Sequence, residues 1–305
     1  MRESNKKLVS VIIRTLNEER YLEELLMKIS IQDRTTYDVE VVIVDSGSTD
    51  STLDVAKKWK ARITHISKDD FSFGRSLNIG CEFSKGDFLV FISGHCIPVD
   101  EYWVENLVTP LEAKCVYTYG RQIGRDTTKY SERQLFHKYF PKESRIPQTG
   151  FFVNNANSAI RREVWERFLF DEELMGCEDM YLARQIVNVG QKLGYIAEAS
   201  VYHIHDEAWG RVAIRYEREA IALQRILPEI HINFLDMCKY IVVGVLKDSS
   251  AAFREGVLAK EFVSIIRFRA AQYLGAYKGN RSHRILSTQM KSKYFYPRVS
   301  DMDIE

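Results

Sequence analysis

The sequence predicts an α/β fold, a doubly wound and mostly parallel sheet with helices on both faces, followed by an α-helical C-terminal part. Three observations carry that expectation. Short β-branched apolar runs alternate with helical-period segments over the first hundred residues. The chemically active side chains gather where those runs end. Beyond residue 206 the strand pattern gives way to long helical periodicity with interspersed aromatic residues and arginines. A chain of 305 residues with 45% hydrophobic and 28% charged content is ordinary globular composition, enough for a sizeable core. Its 43 basic and 42 acidic residues give a formal charge of +1, so nothing global points to nucleic acid, and any electrostatic partner has to be argued locally.

The elements follow in order. Residues 8–16, 39–45, 61–67 and 87–93 read as four strands covered on both faces, because their apolar character is continuous rather than alternating. Between them, residues 17–30, 50–60 and 74–84 space their apolar residues at three and four, and Asp50 and Ser51 suit a helix start. In a βαβαβαβ order, ligands bind outside the carboxyl ends of the strands. Those ends are Arg14 to Asn17, the turn Asp45 to Asp50, and Ser93 to Pro98. The turn "VDSGSTDST" brings Asp45 to a strand tip ahead of small hydroxylated residues, so a flat ligand can lie on the backbone and the carboxylate can accept from a base or ribose. The same residues make a good turn and N-cap, and the two readings are even. No P-loop ending and no GxGxxG after strand one is present.

Four segments in order, "SVIIRTLNEERYLEELL", "VEVVIVDSGSTDST", "FGRSLNIGCEFSKGDFLVFIS" and "GCEDMYLARQI", resemble the family 2 glycosyltransferases over about residues 8–205. The resemblance implies the Rossmann-like GT-A fold. It also implies transfer of a sugar from a nucleotide-sugar donor, usually with inversion and a divalent cation, to a hydroxyl of a glycan or lipid-linked acceptor in surface polysaccharide synthesis. It divides the chain into a catalytic domain over 1–206, with a nucleotide-binding half over about 1–100 and an acceptor half over about 101–206, and a helical region over 207–305. Carried over by position, Thr15, Asn17 and Glu18 stand beside the nucleotide, Asp45 is the base- or ribose-binding carboxylate with Ser46 and Ser48 next to it, and Arg75 and Asn78 line the nucleotide and sugar side.

The family's fourth strand usually ends in Asp-x-Asp, whose last acid binds the cation that bridges the donor's diphosphate. Here Ser93 and His95 hold the two acidic positions. Imidazole suits Mn²⁺ or a softer cation, whereas Mg²⁺ prefers oxygen. His95 therefore has three readings: a metal ligand, a direct partner of the diphosphate, or a structural histidine in a turn. Cys96 beside it reads as a packed small residue rather than a ligand. His203 and His205, two apart in a strand-like run, would share a face. A histidine of that region completes the metal shell in related enzymes, which favours His205 with His203 as the alternate.

An acceptor hydroxyl needs a base. Glu178 and Asp179 open a helix, where its dipole favours carboxylates, and such placement is also common without any function. The resemblance assigns Asp179 as the general base and Glu178 as its support, and places Asn155 and Asn157 on the acceptor side. Turn-forming asparagines explain that pair equally well. From residue 251, ten basic residues from Arg254 to Arg298 outnumber Glu255, Glu261, Asp301, Asp303 and Glu305, which suits peripheral contact with an anionic membrane or a solvated basic face on packed helices. Five unpaired-looking cysteines, a charged N-terminus unlike a signal peptide and no run of about 18 apolar residues together lead to the expectation of a cytoplasmic protein, at the inner face of the cell membrane if that contact forms. The missing acidic pair keeps one other function class open, a nucleotide-sugar or glycan-binding protein of the same fold without metal-dependent turnover.

Overall fold

Continuous apolar runs become central strands. In the computed structural model, which describes residues 6–281, β1 (Lys7–Thr15) lies between β2 (Tyr37–Asp45) and β4 (Phe88–Ser93), parallel to both, and β3 (Arg62–His65) extends the parallel set beyond β2. Val9, Val11, Ile13, Ile43, Val90 and Ile92 are essentially excluded from solvent, as strands covered on both faces require. Helices α1 (Glu19–Ser30), α2 (Thr52–Lys58) and α3 (Phe73–Phe83) make the crossovers. The register sets Thr15 opposite Asp45 and Arg14 opposite Ser93, so the three polar strand ends converge on one edge.

The second half of the sheet is mixed. β7 (Asn157–Arg161) runs antiparallel to β4 and to β6 (Tyr117–Ile123), which is parallel to β8 (Leu193–His203), and β5 (Cys96–Pro98) closes the order β3-β2-β1-β4-β7-β6-β8-β5 as an antiparallel edge. Parallel pairings remain the majority, four of seven. Four strand spacings separate β4 from β5, roughly 19 Å in a flat sheet. Ser93 to Cys96 spans at most about 11 Å of chain. The sheet therefore curls, and the curl carries His95 toward the end of β8. Helices α4 (Trp103–Val108), α6 (Arg162–Phe168) and α7 (Glu178–Asn188) belong to the same unit, which comprises the chain through Arg125, Phe140–Leu174 and Glu178–Ile204.

The other unit takes in Asp126–Tyr139, Met175–Cys177 and, among the described residues, 205–281. It is helical: α5 (Tyr130–Tyr139), α8 (Trp209–Ile226), α9 (Phe234–Arg254) and α10 (Leu258–Asn280). Glycines at 275 and 279 let α10 approach α8 closely, since a Cβ at either would collide with backbone oxygen of Ala213 or Glu217. A buried two-pronged pair, Arg269 to Asp248 at 2.8 Å on each arm, ties α10 to α9. Asn233 and Asp236 form a reciprocal cap at the start of α9. Among the described residues no helix is long and apolar enough to cross a membrane. Residues 1–5 and, from the basic C-terminal run, Arg284, Lys291, Lys293 and Arg298 with Asp301, Asp303 and Glu305 lie outside the described residues.

Candidate active site

At the polar edge of the sheet, the ends of β1 and β2 are laced together. Asp45 is 1% exposed and its carboxylate accepts from Gly47 N (2.9 Å), Ser48 N (3.0 Å), Ser48 Oγ (2.5 Å) and Thr15 Oγ1 (3.0 Å). Asp45 thus shapes the turn from within. Ser46 Oγ donates to Thr15 O, Asn17 Oδ1 accepts from Thr49 N at 2.8 Å, and Asn17 N donates to Ser48 Oγ. Asn17 holds φ 56°, a left-handed conformation that its short amide tolerates. Backbone N–H groups of Glu18 and Glu19 at the start of α1 donate to Thr52 Oγ1 and Asp50 Oδ2, so the two turns fix each other. The result is a rigid shelf of backbone and small side chains.

His95 follows a glycine for a steric reason. Glu18 crosses over Gly94, where a Cβ would lie 2.9 Å from Glu18 Cγ, and its Oε1 sits 2.9 Å from His95 Nδ1. A carboxylate only accepts, so Nδ1 carries a proton, and in the neutral ring Nε2 bears the lone pair. Cys96 pairs with His203 across β5 and β8, which brings the His95 and His203 rings into a stack with centroids 5.3 Å apart. His203 Nδ1 donates to Gln122 Oε1 at 2.7 Å, fixing the same tautomer. Strand β8 stops at His203, so strand alternation does not set the direction of His205 as the sequence suggested. His205 opens the helical unit, where its Nδ1 meets Glu132 Oε1 at 2.7 Å and Arg215 bonds the same oxygen at 2.6 Å. Burial works to raise the Glu132 pKa, but His205 and Arg215 outweigh it and hold the carboxyl at about 2. All three imidazoles therefore have Nδ1 bound to a side-chain oxygen, the support that metal-ligating histidines have. The stacked pair His95 and His203 fits a cation that accepts nitrogen, Mn²⁺ better than Mg²⁺.

Glu178 and Asp179 are both buried in the first turn of α7. Cys177, just before them, is held at φ 55°. Asp179 accepts from Asn155 N (2.8 Å) and Met180 N (2.7 Å), and Glu178 Oε1 lies 3.6 Å from an Arg14 guanidinium nitrogen. Desolvation, and then the like charge of Glu178, push the Asp179 carboxyl up to about 7 against the pull of its backbone bonds and Arg14. A buried carboxyl that changes protonation near neutrality is suited to take up a proton there.

Other expected residues have inward duties. Asn78 is buried, with its amide bonded to Phe170 O and Glu172 Oε1 and its carbonyl accepting from Trp165 Nε1 and Phe170 N. Arg75 pairs with Glu172 at 2.8 Å. Together they fasten α3 to the segment that leads toward α7. Asn157 is wholly buried, with its amide donating to Ala199 O and Arg121 O and its carbonyl accepting from Trp103. Both amide hydrogens are engaged inside the sheet, which leaves neither for a sugar hydroxyl. Asn155 Oδ1 accepts from Tyr117 and Ser158, while its buried Nδ2 has no protein partner. Ser93 is half-buried at the end of β4.

Gln122 and Glu132 were not singled out from sequence, and Arg14 was named only as part of the end of strand one, with no role of its own. Arg14 interrupts the apolar run Val11–Ile13 just before the end of β1, a pattern break that could have marked it. Nothing local marks Gln122 or Glu132, because their histidine partners are 81 and 73 residues away.

A family model described as "Glycosyl transferase family 2" matches residues 10–169. An O-antigen chain rhamnosyltransferase of Salmonella typhimurium is 29% identical over 65% of this chain and 67% of its own length. A second, from Salmonella anatum, is 29% identical over 58% of this chain and 60% of its own. A poly(ribitol-phosphate) β-N-acetylglucosaminyltransferase of Staphylococcus aureus is 23% identical over 82% of this chain and 43% of its own. The chain thus spans between two fifths and two thirds of these relatives. Among solved structures, a mannosyltransferase of Pyrobaculum calidifontis in complex with GDP-Man and Mn²⁺ aligns with TM-score 0.62 at 17% identity, over 92% of this chain and 89% of that one. A glucosyl-3-phosphoglycerate synthase of Mycobacterium tuberculosis with Mn²⁺, UDP-glucose and phosphoglyceric acid aligns with TM-score 0.52 at 21% identity, over 72% and 79%. At these identities the structural likeness shows the GT-A fold.

Proposed function

As the chain belongs to glycosyl transferase family 2, we propose that it transfers a sugar, with inversion, from a nucleoside-diphosphate sugar to a hydroxyl of a glycan or lipid-linked acceptor. Surface polysaccharide synthesis is the setting that the named relatives support; a capsule as the product and the cytoplasmic side of the cell membrane as the place are the finer parts of the proposal. The observation that carries the reading is the buried pair Glu178 and Asp179, with the Asp179 carboxyl raised to about 7.

Asp179 takes the acceptor's hydroxyl proton as the acceptor oxygen bonds to the anomeric carbon. On the opposite face the bond from that carbon to the nucleoside diphosphate breaks, and the electron pair leaves with the phosphate oxygen. Ionised Asp179 needs a neighbour that does not repel it, and Arg14 supplies the opposing charge beside Glu178. The shelf of Asn17, Asp45, Ser46 and Ser48 seats the nucleoside against backbone, with Asp45 and Thr15 shaping it from beneath and Glu18 aiming His95. Arg75 and Asn78 hold the pocket wall through Glu172. Asn155 stands on the acceptor side and gives Asp179 a backbone donor. A divalent cation, when bound, offsets the charge that develops on the leaving diphosphate. His95 and His203 would hold it, with Ser93 at the end of β4.

The test is release of nucleoside diphosphate from UDP- and GDP-sugars, with and without acceptor and EDTA. Turnover that needs the cation and is lost in Asp179→Asn is expected. Donor binding without turnover under any cation would overturn the enzyme reading in favour of a binding protein.

A further inference from the structure

Helix α9 is apolar on two opposite faces. Met237, Gly244 and Ala252 are buried, whereas Leu235, Val242, Leu246 and Phe253, spaced seven, four and seven apart, form a stripe about half a turn away in the helical projection. That stripe faces solvent: Leu235 is 76% and Phe253 74% exposed. Phe262, Val263 and Ile266 expose a second apolar set on α10. Among the described residues, eleven of the nineteen large exposed apolar or aromatic side chains fall between Phe234 and Leu274. Scattered exposed apolar residues need no explanation, but a concentration of this kind marks a surface that is covered in use.

Charge decides what covers it. Lys239, Lys247 and Arg254 on α9, and Lys260, Arg267 and Lys278 on α10, are all exposed. Of the acidic residues from Asp236 to Glu261, Asp248 is buried against Arg269, Asp236 closes the cap of α9, Glu261 is half-buried, and Glu255 alone is fully exposed. A second copy would set like charges against like, which is unfavourable around a low-dielectric contact. Apolar side chains interleaved with lysine and arginine are the chemistry that seats a helix in an anionic lipid interface, the cations meeting phosphates while the apolar groups enter the acyl boundary. We propose that the outer face of α9 and α10 docks on an anionic phospholipid bilayer and lies in its surface without crossing it. Such docking deepens the expected membrane setting by naming the surface and the lipid charge. Vesicle binding needs neither donor nor turnover, so it succeeds or fails separately from the transfer reaction.

The experiment is co-sedimentation of the full chain with vesicles of phosphatidylcholine alone and of equal parts phosphatidylcholine and phosphatidylglycerol, at low and high salt. Binding to the anionic vesicles, weakened by salt and absent with phosphatidylcholine alone, is expected. Leu246→Ser with Phe253→Ser should reduce it by about tenfold or more, since each side chain contributes buried apolar area. Lys239→Gln with Lys247→Gln should do the same through lost attraction. All four positions are exposed, so thermal melts of the variants should match the parent, and nucleotide binding should be unchanged. Failure to bind the anionic vesicles, or binding that neither pair of substitutions alters, overturns the proposal. So does a dimer in sedimentation velocity that Leu246→Ser with Phe253→Ser dissociates, since the stripe would then belong to a second copy.

Discussion

At Asp179 the proton of the proposed base also bears on stability. A carboxyl whose pKa rises from 3.8 to about 7 on folding favours the folded state while protonated. Its contribution is complete below the unfolded value and is lost as pH climbs through about 7. Asp179→Asn keeps the acceptor oxygen for Asn155 N and removes the charge, so it should raise the melting temperature at pH 8 by a few degrees, which corresponds to about 1 kcal/mol in a chain this long. The same variant should lose on the order of 10² to 10⁴ in kcat/KM as the base disappears. Charged and titratable groups facing Asp179 are Glu178 on its own helix, Arg14 from β1 and Tyr117 from β6, and of these Arg14 alone pulls the carboxyl down. Arg14→Met should therefore move the rising limb of the kcat/KM against pH profile upward. A profile that keeps its midpoint would remove Arg14 from that role. Gly94→Ala should displace Glu18 and loosen His95, weakening Mn²⁺ binding measured by titration, roughly ten- to hundredfold as for other lost ligand supports.

At the scale of elements, close approach is the device that recurs. Gly279→Val puts a branched side chain where Glu217 O and Ala220 lie against α10, and should cost about 1 to 3 kcal/mol in denaturant unfolding. Arg269→Met strands a buried Asp248 and should cost about 3 to 5 kcal/mol by the same measurement. The first four strands and their crossovers were legible because a strand covered on both faces writes a continuous apolar run, as β1 and β4 do. β5 was not legible: three residues, Cys96–Pro98, are too short for any period, and they pair with a strand more than a hundred residues on. The same limit hid the antiparallel half of the sheet, since direction is set by partners across the chain. Local side-chain chemistry had the opposite fortune. Asp45 and Asp179 stand out as polar residues where an apolar run ends or a helix begins, whereas the inward duties of Asn78 and Asn157 depend on Trp165 and Trp103, more than fifty residues away.

Across the whole molecule the chain forms two compact units. The sheet unit carries the shelf proposed to seat the nucleoside, the stacked pair His95 and His203 and the buried carboxylates. The helical unit carries His205 with its supports Glu132 and Arg215, and the apolar and basic outer face of α9 and α10. Removing divalent cations with EDTA should stop turnover, and Mn²⁺ should restore it better than Mg²⁺, because the candidate ligands are imidazoles rather than carboxylates. Equal rescue by Mg²⁺ would mean that oxygen donors hold the cation.

The most direct measurement is single-turnover sugar transfer by wild type and Asp179→Asn across the pH range around neutrality, with saturating donor, acceptor and Mn²⁺. The wild-type rate should rise with pH through a midpoint near 7, and Asp179→Asn should show a rate lower by at least about a hundredfold with no such limb. A variant that transfers sugar at the wild-type rate with the same pH profile would contradict the assignment of the base and the reading of the site built on it.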